Sequence, residues 1–122
     1  MATYNGEKYI KEQLDSILCQ LGMDDELIIS DDGSTDKTLE IIQHYQEPRV
    51  KILSNVKRHS IIGNFENALI HAKGDYIFLA DQDDVWTSDK VNVVLAALAT
   101  TDLVVSDCTV VDGDLKCVIH SF

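Results

Sequence analysis

The stretch Glu26-Leu27-Ile28-Ile29-Ser30-Asp31-Asp32-Gly33-Ser34-Thr35-Asp36 decides the fold class. Residues 26–30 form a short apolar run of the kind shown by a strand buried on both faces, and the run stops at Asp31. The following Asp32-Gly33-Ser34-Thr35-Asp36 supplies a turn glycine and several helix-capping side chains, after which Leu39, Ile42 and Tyr45 recur at helical spacing as far as Pro48. Strand, loop and helix in this order are the building unit of a parallel sheet.

The same alternation extends in both directions. Upstream, Ile10, Leu14, Ile17, Leu18 and Leu21 mark an amphipathic helix with Glu7, Lys8, Lys11, Glu12 and Asp15 on its polar side. Downstream, 50–53 reads as a strand and 63–72 as a helix with Phe65, Leu69 and Ala72 inward, closed by Gly74-Asp75. Tyr76-Ile77-Phe78-Leu79-Ala80 carries the strongest strand signal in the chain, being apolar, aromatic and bounded by turn formers. Ser88-Asp89 is placed to cap a helix through Val91, Val94, Leu95 and Leu98, 102–106 reads as one more buried strand, and 109–118 reads as a hairpin around Asp112-Gly113. The expected architecture is α/β: an open, mostly parallel Rossmann-like sheet with flanking helices, forming a single domain over 1–122. Asn5-Gly6, Asp31-Asp32 and the segment 81–84 each follow a strand end, so a parallel sheet gathers all three on one rim, where such sheets bind ligands.

Composition narrows the partners. With 122 residues, 45% apolar and 25% charged, the chain is an ordinary globular one, long enough for a hydrophobic core. Its 21 acidic and 10 basic residues give a formal charge of -11, which repels a polyanion and argues against nucleic acid. A nucleotide diphosphate is also anionic, so its binding here calls for a divalent cation, backbone N–H groups or a few local basic side chains. Cys19, Cys108 and Cys117 have no zinc spacing and are odd in number, consistent with reduced thiols in the cytosol. No apolar run approaches the roughly 20 residues needed to cross a bilayer.

Asp81-Gln82-Asp83-Asp84 is the main chemical candidate. Clustered carboxylates at a strand end repel one another unless a cation neutralises them, and in an extended segment Asp81 and Asp83 share a side. Such oxygen donors suit Mg²⁺ or Mn²⁺, an ion that can bridge the phosphates of a nucleotide sugar and stabilise the leaving diphosphate. A solvated acidic loop ahead of the helix at Ser88 is the plainer alternative. Asp31 or Asp32 can accept a hydrogen bond from the ring N–H of a uracil or thymine, although Asp-Gly-Ser is also a common helix entry. Tyr4 beside Gly6 can stack a base, or simply pack.

Four blocks in register, Ala2-Thr3-Tyr4-Asn5-Gly6, Asp31-Asp32-Gly33-Ser34-Thr35-Asp36, Gly74-Asp75-Tyr76-Ile77 and Asp81-Gln82-Asp83-Asp84, resemble the family 2 glycosyltransferases with the GT-A fold. The longer Asp81-Gln82-Asp83-Asp84-Val85-Trp86, with Gly63-Asn64-Phe65 upstream, looks most like the bacterial branch that includes rhamnosyltransferases of surface polysaccharide synthesis. The resemblance implies transfer of a sugar from a UDP- or dTDP-sugar, such as dTDP-rhamnose, to a polysaccharide or lipid-linked acceptor by a cytoplasmic enzyme at the inner membrane face. It implies nucleotide-sugar contacts from Thr3, Tyr4, Asp31, Asp32, Lys57, Asp81, Gln82 and Asp83, and metal contacts from Asp83, Asp81 and Asp84. Arg58 lies in the same loop as Lys57, Trp86 packs beneath the acidic loop or lines the sugar pocket, and His120 is an outlying metal candidate.

Two departures from the family qualify the expectation. Members begin with a longer first strand than Met1 leaves room for, and in inverting members the general base comes from a later, acceptor-binding part beyond position 122. The chain therefore reads as a donor-binding portion, truncated at both ends and catalytically incomplete. Two rivals share the acidic signature. Asp81-x-Asp83-x-Val85 also matches the nucleophile loop of haloacid-dehalogenase-like phosphatases, but that motif sits at the first strand. A Mg²⁺-binding receiver domain wants its acidic pair at the first strand and a lysine after a late one, whereas Lys116 falls in the hairpin.

Overall fold

The computed structural model describes residues 1–56 and 59–119. The chain divides into two compact units, 1–88 and 89–122.

The first unit contains β1 (Ala2–Thr3), α1 (Ile10–Leu18), β2 (Leu27–Asp31), α2 (Thr38–His44), β3 (Val50–Ser54) and α3 (Ile61–His71). The three strands form a parallel sheet in the order β1-β2-β3, with Ala2 opposite Ser30, Thr3 opposite Asp31, and Leu27 through Asp31 opposite Val50 through Ser54. The open parallel α/β architecture expected from the sequence is therefore present. β2 is the central strand and all five of its residues are buried, whereas β3, at the edge, has none fully buried. Ile10, Leu14 and Ile17 of α1, Ile29 of β2 and Ile42 of α2 are at most 2% exposed and form the core. Burying each such side chain is worth about 1.5–3 kcal/mol. The turn before β3 is tied down by Arg49, whose guanidinium meets the Glu47 carboxylate through Nε and Nη2, both at 2.8 Å, while Nη1 donates to Leu21 O at 2.7 Å.

The helix expected at 63–72 starts two residues earlier. Ser60 adopts an extended backbone and its hydroxyl accepts from Gly63 N, a helix cap that periodicity alone does not register. Its buried side is Gly63, Asn64 and Ala68, with Leu69 40% exposed, because the helix turns its small and polar residues towards β1 and β2.

The expectation of a strand at 76–80 is not met. Ala2 N donates to Ala80 O and Ala2 forms a parallel bridge with Asp81, but no further pairing follows. Tyr76, Ile77 and Leu79 are each more than half exposed. An apolar run becomes a strand only when a neighbour takes up its backbone groups.

The second unit holds α4 (Lys90–Leu98) and an antiparallel pair, β4 (Val110–Val111) and β5 (Cys117–Ile119). α4 matches the expected helix, although none of its residues is buried and the Asp89 side chain makes no cap. The hairpin is as read, its turn held by Asp112 Oδ1 accepting from Asp114 N and Lys116 N, both at 2.9 Å. The strand expected at 102–106 is absent, with Leu103 and Val105 78% and 86% exposed and no strand among the described residues beside them. No helix among the described residues is long and apolar enough to cross a membrane.

Candidate functional site

The carboxyl ends of β1 and β2 open into two loops that grip each other. Asp31, the last residue of β2, is 3% exposed. Its Oδ1 accepts from Gly33 N at 3.0 Å and Ser34 N at 2.8 Å, and its Oδ2 accepts from the Ser34 hydroxyl and, at 3.0 Å, from Thr3 Oγ1. Four donors on one buried carboxylate satisfy it fully inside the protein. Gly33 makes this turn possible, its φ of +87° lying where a side chain is strained. Thr3, 1% exposed, likewise turns its hydroxyl to Asp31 rather than to the rim.

The loop after β1 crosses to the start of α2. Asn5 N donates to Ser34 Oγ, Asn5 Oδ1 accepts from Thr35 N, and Gly6 N donates to Thr38 Oγ1 at 2.7 Å. Asp36 accepts from Thr38 N and from Glu7 N, while Glu7 accepts from Lys37 N. Asp36, one residue before the N-cap position at Lys37, thus holds the entry to α2, and Lys37 itself makes no side-chain cap. This mesh leaves Tyr4 on the outside, 56% exposed.

Asp32 sits differently from its neighbour. Its backbone N–H donates to Thr3 O at 2.9 Å, and its Oδ1 accepts from Asn55 Nδ2 at 2.8 Å with His59 Nδ1 3.0 Å away. Among the described residues its Oδ2 has no hydrogen bond. Asn64, buried in the first turn of α3, donates through Nδ2 to the same Thr3 O at 3.0 Å, and its Oδ1 has no partner among the described residues. A buried amide oxygen without a donor is uncommon. Asn55, His59 and Asn64 were not singled out from the sequence as site residues. An Asn in a helix or a His in a loop carries no local signal, and only the cross-chain contact reveals its place.

The acidic segment reaches the rim along the other side of β1. Asp81 O accepts from Gln13 Nε2 at 2.8 Å, with Gln13 wholly buried in α1. Ser16 Oγ donates to Gln13 and accepts from Trp86 N at 3.0 Å, so α1 anchors both ends of the segment. Trp86 is buried beneath it, its ring 5.7 Å from that of Phe78. Residues 82–83 form a turn, so the alternation that would align Asp81 with Asp83 in an extended run does not apply. The carboxylates nonetheless feel one another. Asp81 is held above the ordinary carboxylate range by partial desolvation and then by the charges of Asp83 and Asp84. Gln82 turns inward, its amide oxygen accepting from Tyr4 N at 2.9 Å and its amide nitrogen donating to Tyr4 O at 3.0 Å.

Thr3, Tyr4, Asp31, Asp32, Asp81, Gln82, Asp83 and Asp84 all lie in the first unit. Thr3, Asp31 and Gln82 direct their polar atoms at the protein, while Tyr4, Asp81, Asp83 and Asp84 are exposed residues. Lys57, Arg58 and His120 lie outside the described residues. No group of three or more His, Cys, Asp or Glu side chains among the described residues converges as a metal cage. The donor set still fits Mg²⁺ or Mn²⁺, since such ions are commonly held by one or two carboxylates together with substrate phosphates.

An open parallel sheet with an aromatic, a half-engaged aspartate and an acidic turn beyond its strand ends defines an α/β protein of the ligand-at-the-rim class. Residues 1–117 match the family described as Glycosyl transferase family 2, and the chain belongs to that family. It is 41% identical over 105 residues to the dTDP-rhamnosyl transferase RfbG of Shigella flexneri, covering 80% of this chain and 36% of that protein. It is 29% identical over 103 residues to the UDP-Glc:alpha-D-GlcNAc-diphosphoundecaprenol beta-1,3-glucosyltransferase WfgD of Escherichia coli, covering 84% of this chain and 41% of that one. Among solved structures, S. aureus TarS 1–349 in complex with UDP matches with a TM-score of 0.70 at 29% identity, over 80% of this chain and 30% of that one. The family and the GT-A architecture implied by the four sequence blocks are thereby borne out, and the phosphatase and receiver readings fall away. The chain spans about two-fifths or less of the length of these relatives.

Proposed function

We propose that this chain is the donor-binding part of a glycosyltransferase that takes a UDP- or dTDP-sugar and passes the sugar to a polysaccharide or lipid-linked acceptor. The observation that carries the reading is the convergence, at one end of a family 2 sheet, of exposed Tyr4, of Asp32 with one oxygen unengaged among the described residues, and of the acidic turn at 81–84. The relatives named for dTDP-rhamnosyl and UDP-glucosyl transfer, and the UDP-bound structural neighbour, support the choice of nucleotide.

In this reading Tyr4 stacks the base and Asp32 accepts its ring N–H, while Asp31 and Thr3 hold the loop in shape. Asp83 and Asp81, with Asp84 beside them, would hold Mg²⁺ or Mn²⁺. When bound, that ion neutralises the diphosphate and so favours its departure. The chain's own residues bind and orient the donor; none of them is assigned as the base that activates the acceptor. Cytoplasmic placement, peripheral association with the membrane face and a role in cell-surface polysaccharide synthesis belong to the same proposal.

Calorimetry with UDP or dTDP, with and without Mn²⁺, tests it. Nucleotide and metal should bind together, each strengthening the other, and Asp83→Asn should weaken nucleotide binding at least about tenfold, one charge-assisted contact being worth roughly 1.5–3 kcal/mol. Unchanged affinity in Asp81→Asn, Asp83→Asn and Asp84→Asn alike would remove the metal role.

A further inference from the structure

Gln82 stands within the acidic turn, yet both ends of its side-chain amide are engaged by the backbone of Tyr4. That pattern of one acceptor and one donor is what a residue of a neighbouring strand presents. Backbone pairing between β1 and the acidic segment reaches only the bridge between Ala2 and Asp81, after which 82–83 turns away. A glutamine amide carries the same donor and acceptor as a peptide group, so the side chain of Gln82 continues the ladder where the main chain has left it.

Gly6 supplies a second, independent observation. A Cβ at position 6 would lie 2.3 Å from Gln82 Oε1 and 2.6 Å from its amide carbon, closer than any real contact. Its backbone is not in the left-handed region, where Gly33 alone among the described glycines lies. The absence of a side chain at position 6 is therefore explained by the room the Gln82 amide needs.

We propose that Gln82 is a positioning residue for donor binding. Its amide clips Tyr4 to the acidic turn, so that the nucleoside end and the diphosphate end of the site keep a set separation, and Gly6 makes space for the clip. The proposal rests on the donor-site reading above and replaces the direct nucleotide contact that the family resemblance implies for Gln82.

The test is a double-mutant cycle in this chain, read by thermal unfolding without nucleotide and by titration with UDP or dTDP plus Mn²⁺. Gln82→Ala, and Gln82→Met, which keeps the length but lacks the amide, should each weaken nucleotide binding about tenfold while lowering Tm by only a few degrees. Gly6→Ala should do the same, because the new methyl expels the amide, and Gly6→Ala/Gln82→Ala should be no worse than Gln82→Ala alone. Additive losses in the double variant would overturn the clip. Full affinity in Gln82→Met would overturn its role in binding, and a loss in Gln82→Ala beside a harmless Gly6→Ala would make Gln82 a direct ligand contact instead. Should Gly6→Ala fail to fold, faster hydrogen exchange at Tyr4 N–H in both Gln82 variants supports the clip and unchanged exchange overturns it. A parent chain that binds neither nucleotide overturns the donor-site reading and the positioning role with it; the nucleotide-free Tm cycle distinguishes that outcome from failure of the clip itself.

Discussion

Residues 27–31 and 77–81 are both apolar runs that end on an aspartate, and they have opposite fates. The first is β2, buried along its whole length between β1 and β3. The second meets β1 at a single bridge and leaves Ile77 and Leu79 more than half exposed. Their aspartates differ in the same way. Asp31 is sealed in by four hydrogen bonds, whereas Asp81 keeps solvent contact and stands in the field of two like charges. The fold itself uses the carboxylate of Asp31, whereas that of Asp81 stays exposed at the rim.

The largest effect that could break this contrast is in the core. Ile29→Ala, at a fully buried position of β2, should cost about 2–5 kcal/mol in urea unfolding, while Ile77→Ala, 53% exposed, should stay within about 0.5 kcal/mol. Equal losses would mean that 76–80 is packed as a strand after all. The aspartates come next. Asp31→Ala strands the Gly33 and Ser34 amides and the Thr3 hydroxyl, and should cost about 3 kcal/mol. Asp83→Asn should leave unfolding unchanged or slightly more difficult while removing metal-dependent nucleotide binding. Reversal of these two outcomes would reverse the roles assigned to the two loops.

The smallest effect concerns pH. Arg49 holds the Glu47 carboxyl down to about 2, below its ordinary value of 4.5. A depressed carboxylate contributes stability that is present above its unfolded pKa and is lost as pH falls through the folded value. Acid unfolding of the parent chain should therefore include a loss between about pH 4.5 and about pH 2 that Glu47→Gln lacks. An identical acid limb in the two proteins would show that this half-buried pair contributes nothing measurable.

Much of the scaffold was legible in the sequence because its signals are local. The apolar run at 27–30, the turn glycine at 33 and the helical spacing of Leu39 and Ile42 all act within a few residues, and the structure realises each of them. The rim was legible too, since a parallel sheet places every strand-end loop on one side. The outcome at 76–80 was not legible, because its apolar character is local whereas strand pairing depends on residues far away in sequence, here a single bridge between Ala2 and Asp81. Helix α3 was read with the wrong inward side for a related reason: its buried face is set by contact with β1 and β2, not by its own hydrophobicity.

By itself, the sequence determined the family, the strand-loop-helix order and the segments that reach the rim, since these follow from near-neighbour periodicity, turn chemistry and four blocks in register. Only the tertiary structure decided which polar side chains serve the fold and which face outward. Thr3 and Asp31 are 28 positions apart, Asn64 and Thr3 61, and Tyr4 and Gln82 78. A hydrogen bond between such distant groups leaves no local pattern, so the division between a structural aspartate and an available one becomes visible only when the chain has closed on itself.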